Sequence, residues 1–507
     1  MKPYKVALLG LALTMLTACE LEREDFTEIY PENFFQTETD LKLAVDGLYY
    51  DFNTGTWAAD GVVPGVFIAD LNGYQVISDM TTDAMWCAWG WGNDEMYFQQ
   101  WTATTGTIQS QFWNLFSHYN YLSKARNTIR RIEAAPVEDG VKNKYLGEAH
   151  ALRGWMGLVL YDLFGPVPVA PDDVLDDPET FVYLPRLTDE EYDQMMENEL
   201  LTAISLLPDM PEERGRMAKG PARMILMKYY MIRGQFEKAE QIARDLYAME
   251  GLYGLYSGEY ADMFAITGNG NNEVILCRPC NLSLDNAVNY FTAECLPEDM
   301  PWAANGTGWG GYVMAWDFYD TFESGDKRLA NVYTSYVNKA GKTVQRGDAG
   351  QMKYGAIALK YGMDPGMQAG MSGNDIVVYR YSDVLLSLAE LIVRNGGPIA
   401  GEATDLVNRV RNRAGLGDLD ATATASTEAF LDAILLERGH EFWFEGLRRQ
   451  DLIRFGKYVE YANNRIDKIN TDEGRGYFRV DDSHNRLPIP ADFINESKSA
   501  IKQNPLY

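Results

Sequence analysis

Glu437-Arg438-Gly439-His440-Glu441-Phe442-Trp443-Phe444-Glu445-Gly446-Leu447-Arg448-Arg449-Gln450-Asp451-Leu452-Ile453-Arg454 is a dense mixture of charge and aromatic rings. Glu441 and Glu445 stand four apart and share a helical face. Paired carboxylates serve glycoside hydrolysis at separations set by geometry, so a catalytic reading is open. Glu445, however, has Arg448 and Arg449 three and four residues on, and Asp451 has Arg454. Ion pairing accounts for these carboxylates without chemistry. Exposed pairs of this kind contribute roughly a few tenths of a kcal/mol. Buried, they form a structural network. His440-Glu441 opens like the zinc-protease HExxH motif, but position 444 is Phe444. With four histidines in the whole chain, His-rich metal sites are nearly excluded. The stretch is expected to close a helix over 427–444, and no catalytic residue is assigned.

Helical spacing recurs outward from it. Residues 377–393 and 403–414 read as helices. Trp113, Phe116, Tyr119, Tyr121, Leu122, Ile129 and Ile132 mark one helix. Leu146, Leu152, Trp155, Val159 and Leu163 mark the next, which Gly165-Pro166 stops. Trp113 and Trp155 read as core rings. Residues 190–207 and 222–233 are further helices. The last is followed by Gly234-Gln235-Phe236-Glu237-Lys238-Ala239 and then Ala243, the makings of a closely packed hairpin of tetratricopeptide kind. Residues 255–375 differ. They are rich in Gly, Asn, Asp and aromatics, with short alternating pieces such as 332–337 that suit strands, and loops of this kind usually carry binding sites. The proline-rich segments at 487–490 and 503–507 suit an extended strap. The expected fold is mostly α: tetratricopeptide-like helical hairpins over 40–254 and 376–507, with an irregular, loop-rich inserted ligand-binding lobe over 255–375.

The first residues carry a different signal. Lys2 and Lys5 precede an apolar run at 6–16, too short to span a membrane, and small residues lead to Cys19. This is the layout of a secretory signal over 1–18 with a body over 19–507. Leu16-Thr17-Ala18-Cys19 resembles the bacterial lipobox, in which the Cys is acylated; several chains anchor stably where one does not. Loss of the two lysines takes the formal charge from −28 to about −30. Nucleic acid is a poor partner for such a chain. Export would permit disulfides among Cys87, Cys277, Cys280 and Cys295, but pairing is left open, and the lone Cys277-Arg278-Pro279-Cys280 lacks the second pair that a zinc site wants.

Several stretches together resemble the SusD/RagB family of outer-membrane nutrient-binding lipoproteins. They are 113–127, 152–168, Arg380-Tyr381-Ser382-Asp383 running on to Ala389-Glu390, and 408–414. The most specific are Glu437-Arg438, Glu441-Phe442-Trp443-Phe444-Glu445-Gly446 with Arg448, and Asp451-Leu452-Ile453-Arg454. Pro488-Ile489-Pro490 and Gln503-Asn504-Pro505 complete the pattern. Gly439-His440 interrupts the more usual basic run, and Leu506-Tyr507 replaces the common final glycine turn. The resemblance implies a surface-facing protein, lipid-anchored at Cys19 in the outer membrane, that serves a SusC-type TonB-dependent transporter as its lid. Acidic residues after Cys19 resemble a surface-export signal.

Tryptophan is the clue to the ligand. Trp86, Trp89 and Trp91 form one group, and Trp302, Trp309 and Trp316 another. Both sit among Gly, Asn, Asp and Thr, where exposed rings mark contact surfaces. A pyranose lays its C–H face on an indole. Its hydroxyls then need planar amides or carboxylates, for which Asn93, Asp94, Asn305 and Asp317 stand ready, with Tyr312 beside them. The expected ligand is an oligosaccharide. A peptide, as in RagB-type relatives, and a surface glycoside hydrolase are the alternatives, and an adhesin is a further one. No cofactor is expected, though Gly268-Asn269-Gly270-Asn271-Asn272-Glu273 could hold a structural calcium ion.

Overall fold

A computed structural model describes residues 34–59, 62–90, 92–104, 108–177, 179–284, 286–301 and 308–507. The expected leader over 1–18 and Cys19 lie outside these residues, as do Trp91, Trp302 and Asn305.

Packed helices make up most of what is described. The 26-residue helix Asp139–Phe164 lies against Asn120–Ala134 and against Asp189–Leu206. Glycine makes the second contact close. A Cβ on Gly154 would stand 2.6 Å from Leu200 Cδ2, and one on Gly157 would stand 2.5 Å from Met196 Sδ. Asp189–Leu206 starts in a capping box, with the Thr188 hydroxyl accepting from Glu191 N and the Glu191 carboxylate accepting from Thr188 N. Lys219–Ile232, Phe236–Tyr247, Tyr381–Arg394 and Thr404–Arg413 continue the series, each packed on the one before. Gly234, at φ +68°, makes the hairpin turn before Phe236–Tyr247, whose Ala239 and Ala243 are fully buried at the crossing.

Three helices differ from the sequence reading. The one through Trp113 and Ile132 is two, Gln109–Ser117 and Asn120–Ala134. The chain tightens between them, Tyr119 N donating to Phe116 O and Tyr121 N to His118 O, each at 2.9 Å. Residues 377–393 open instead with a buried, β-branched strand, Ile376–Arg380, before Tyr381–Arg394 begins. Short apolar runs do not distinguish the two states by period. The helix expected to reach 444 ends at Glu441, because Phe444 (φ +59°) and Gly446 (φ +76°) are left-handed. Trp155 is fully buried as expected. Trp113 is not: it is 38% exposed and stacks on Phe493 at 5.4 Å.

The end of the strand at Arg380 and the turn after Glu441 meet in the interior. Arg380 is fully buried. Its Nη1 donates to Glu273 Oε1 at 2.7 Å and to Glu441, and its Nε donates to Glu445 Oε2 at 2.8 Å. Arg413 also bridges Glu273 and Glu441, and Lys360 pairs with Glu445. Glu445 therefore does not take Arg448 and Arg449, as spacing suggested. Those two reach Asp83 at 2.8 Å and Asp162 at 3.0 Å. Asp451 does take Arg454, at 2.8 Å, and Arg438 as well. Burial pushes the Glu441 carboxyl up, but the guanidiniums of Arg380, Arg413 and Arg328 outweigh it and hold the group well below the usual carboxylate range. Both carboxylates that invited a catalytic reading are thus bound up in structure, where removing one partner costs about 3–5 kcal/mol.

Within 255–375 no described helix exceeds five residues. Eight short strands are described in the molecule: β1 (Met85–Cys87), β2 (Val274–Arg278), β3 (Tyr312–Ala315), β4 (Val332–Tyr333), β5 (Ser335–Val337), β6 (Thr343–Gln345), β7 (Gly355–Ala358) and β8 (Ile376–Arg380). They form an antiparallel sheet in the order β1-β3-β7-β4, a long-range antiparallel pair, β2-β8, and a hairpin, β5-β6. β1 comes from outside the lobe segment and completes its sheet. Trp86 pairs with Val313 and Cys87 with Tyr312, so pleating puts Trp86 on one face and Tyr312 on the other.

Cys87, Cys277, Cys280 and Cys295 are buried free thiols. The tail lies on the body as a strap, Leu487 N donating to Leu163 O and Asn504 Nδ2 to Leu487 O, both at 2.7 Å, with a short helix, Ala491–Glu496, between. Among the described residues no helix is long and apolar enough to cross a membrane.

Candidate ligand-binding site

Two aromatic groups flank the β1-β3 strand pair. On the Tyr312 side lies a cavity of about 500 Å³, inside the range of about 300–1,000 Å³ usual for small-molecule sites. Three indoles from three segments line it: Trp57, Trp89 and Trp309. Local backbone geometry sets each ring. Trp89 follows β1 and donates from Nε1 to Trp309 O at 2.9 Å. It lies over Gly311, where a Cβ would stand 2.6 Å from Trp89 Cζ2. Trp309 N donates to Ala293 O at 2.7 Å, and its ring rests over Gly370, where a Cβ would again stand at 2.6 Å. Tyr290 stacks on Trp309 at 5.5 Å and meets Trp57 edge to face at 5.1 Å. Trp57 is 38% exposed, and Trp89 and Trp309 are half-buried.

The polar lining is acidic and amidic. Asp70, Asn72 and Asn93 contribute to it, as do Gln111, Glu294 and Glu298. Asp70 opens a turn in which Asn72 N donates to Oδ1 at 2.7 Å. Burial pushes its carboxyl up, against the hydrogen bonds from Asn72. Glu294, on the five-residue helix Phe291–Cys295, is 1% exposed. Burial and the neighbouring Asp70 charge push its carboxyl well above the ordinary range.

The second group differs. Trp86 and Trp316, expected to face solvent, are 9% and 8% exposed. Trp86 projects from the central residue of β1 and is sandwiched between Tyr354 and Tyr97, each at 4.5 Å. Trp316 Nε1 donates to Met352 O at 3.0 Å, and the Arg346 guanidinium covers its ring at 4.5 Å. The cavity beside them is about 160 Å³. Lys468 pairs with Asp317 at 2.6 Å and Lys353 with Glu473 at 2.9 Å across its lining.

Of the residues singled out from sequence, the structure gathers Trp89, Asn93, Trp309 and Tyr312 on the larger cavity. Trp86, Trp316 and Asp317 belong to the other group, and Asp94 pairs with Arg475 at 3.2 Å. Trp57, Asp70 and Glu294 were missed. Trp57 had a signal, because it lies in Gly55-Thr56-Trp57-Ala58-Ala59-Asp60-Gly61, the same kind of setting as the rings that were noticed. Asp70-Leu71-Asn72-Gly73 had the composition of a turn. Glu294 had none. The single carboxylate of segment 268–273 is already taken. Glu273 faces Arg380 and Arg413, and its other hydrogen bond comes from Tyr256 N. Among the described residues no group of three or more His, Cys, Asp or Glu is placed to hold a metal ion.

Residues 330–507 match the model of the SusD family. Residues 68–230 match a second model, described as starch-binding, associating with the outer membrane. The chain belongs to the SusD family. A SusD-like protein of Formosa agariphila, P2, is 23% identical over the whole of both chains. Among solved structures, a SusD superfamily protein from Bacteroides vulgatus superposes with a TM-score of 0.74 at 22% identity, covering 94% of this chain and 100% of that one. Surface glycan-binding protein A from Bacteroides thetaiotaomicron, in complex with laminarihexaose, superposes with a TM-score of 0.69 at 22% identity, over 92% and 99%. This SusD-family chain thus shares the helical fold with its inserted lobe with those proteins.

Proposed function

We propose that the protein is a non-catalytic, cell-surface binder of oligosaccharide that passes its ligand to a SusC-type TonB-dependent transporter in the outer membrane. The observation that carries this is the convergence of Trp57, Trp89 and Trp309 on one open cavity with hydrogen-bonding groups between them. An indole face carries negative potential and attracts the weakly positive C–H face of a pyranose, and the amides and carboxyls meet its hydroxyls. The laminarihexaose bound by a protein of the same fold supports a sugar over a peptide. In this reading the leader 1–18 is removed and Cys19 carries the lipid, with the helical core at 40–254 and 376–507 and the lobe at 255–375.

Isothermal titration of the soluble body with a panel of polysaccharides tests the binding. At least one glycan binds, and Trp309→Ala weakens it; affinity indifferent to that change removes this cavity from the reading. Incubation with the bound glycan releases no new reducing ends, and sustained release would make the protein an enzyme. Gentle pull-down from outer membranes recovers a barrel transporter.

A further inference from the structure

The buried lining atoms left without a hydrogen-bond partner are acceptors. Glu294 Oε2 and Asn93 Oδ1 are both buried without a hydrogen-bond partner, and both residues line this cavity. Glu294 is 1% exposed and Asn93 3% exposed. The Asn93 amide nitrogen already donates to Gly90 O, which leaves the oxygen as the unmatched half of the amide. Asn72 is satisfied on both sides, accepting from Asn114 Nδ2 at 2.8 Å and donating to Asp70 Oδ2 at 3.2 Å. Gln111, whose oxygen accepts from Ser110 Oγ at 3.0 Å, is the lining amide placed to donate. No Lys, Arg or His is among the lining residues, whereas Asp70, Glu294 and Glu298 are. A buried acceptor left unmatched in a complex is costly, so the ligand that fits brings hydrogen-bond donors.

We propose that this cavity takes an uncharged, hydroxyl-bearing sugar unit and rejects units that carry a carboxylate or a sulfate, with Glu294 as the residue that sets the choice. The proposal rests on the glycan-binding reading and narrows it. A hydroxyl both donates and accepts, so it satisfies Asn93 Oδ1 and meets Glu294 in either protonation state. A carboxylate or sulfate only accepts. It leaves Asn93 Oδ1 unmatched and sets a fixed negative charge beside the buried Glu294 and the half-buried Asp70, with the exposed Glu298 also on the lining. Burial and Asp70 together raise the Glu294 carboxyl, which agrees with a floor that disfavours further negative charge.

The test compares one bound glycan with the same glycan after selective oxidation of its primary hydroxyls to carboxylates. Binding is measured by titration calorimetry on the whole soluble body. The protein is expected to prefer the uncharged form at least tenfold. Glu294→Gln, which removes the ionisable group at nearly constant volume, is expected to shrink that ratio at least threefold. Asp317→Asn, in the other aromatic group, is expected to leave it unchanged. Equal affinity for the two forms, or a uronate- or sulfate-bearing polysaccharide as the tightest ligand of a Trp309-dependent site, overturns the proposal while glycan binding stands. A ratio unmoved in folded Glu294→Gln overturns the assignment to Glu294. If that variant does not fold, Asp70→Asn is read in the same way, and the wild-type ratio needs no variant. Absence of binding to any glycan of either class overturns both the proposal and the reading beneath it.

Discussion

Trp86 and Trp89 are three residues apart in the chain, yet they serve opposite sides of the lobe's sheet. Trp86 is enclosed by Tyr97 and Tyr354. Trp89 borders an open cavity of about 500 Å³. Trp309 and Trp316 divide in the same way. The buried atoms without a partner differ in kind around the two sets: Trp86 Nε1 and Arg465 Nε and Nη1, all donors, on one side, and acceptors on the other. Beside Trp86 and Trp316, Asp317 and Glu473 have found Lys468 and Lys353. Beside Trp89 and Trp309, Glu294 Oε2 and Asn93 Oδ1 have found nothing. A Gly- and Asp-rich setting therefore does not make a ring a platform. What separates Trp57, Trp89 and Trp309 from Trp86 and Trp316 is an uncovered face.

Four substitutions put that division under strain. Trp86→Ala has the largest effect, a loss of stability of about 3–5 kcal/mol read from urea unfolding, because it empties a packed site. The folded fraction still binds glycan with unchanged affinity, and a change in affinity would mean that the enclosed group also contacts ligand. Trp309→Ala weakens binding by about 2 kcal/mol, roughly thirtyfold, as expected of a central aromatic contact. Trp57→Ala weakens it roughly tenfold, about 1.4 kcal/mol, and leaves the unfolding midpoint nearly in place, since its ring is 38% exposed. A larger loss from Trp57 than from Trp309 would move the centre of the site outward. Asp317→Ala, which breaks an exposed pair with Lys468, changes stability by less than about 1 kcal/mol and does not change binding.

Helical spacing was enough to place the hairpins, and Gly234 with Ala239 and Ala243 marked one of their crossings. What escaped were features that depend on residues far away in sequence. Ile376–Arg380 is a strand because Val274–Arg278 is there to pair with it. Glu445 takes Arg380 and Lys360 because a left-handed turn at Phe444 carries it off the helix on which Arg448 and Arg449 were its neighbours. The site was half legible for the same reason. Composition singled out Trp89 and Trp309, and with the same rule applied evenly it would have included Trp57. Composition could not separate Trp86 from Tyr312, because strand pairing decides which face each one takes. Glu294 lies between Ala293 and Cys295, both buried, and nothing in that local setting announces a cavity wall.

The distant polar partners of 437–454 also set an order of events. Asp79 accepts from Gly446 N, Asp83 pairs with Arg448 and Asp162 pairs with Arg449, across separations of 367, 365 and 287 residues. A chain emerging amino end first exposes all three acids long before their partners exist. Contacts that distant slow folding, because a large loop must close before they form. The hairpins can assemble as they appear, but these bonds form only once the chain has reached about its last sixty residues, so a truncation shortly before Arg448 would yield a helical but loosely packed and protease-sensitive body.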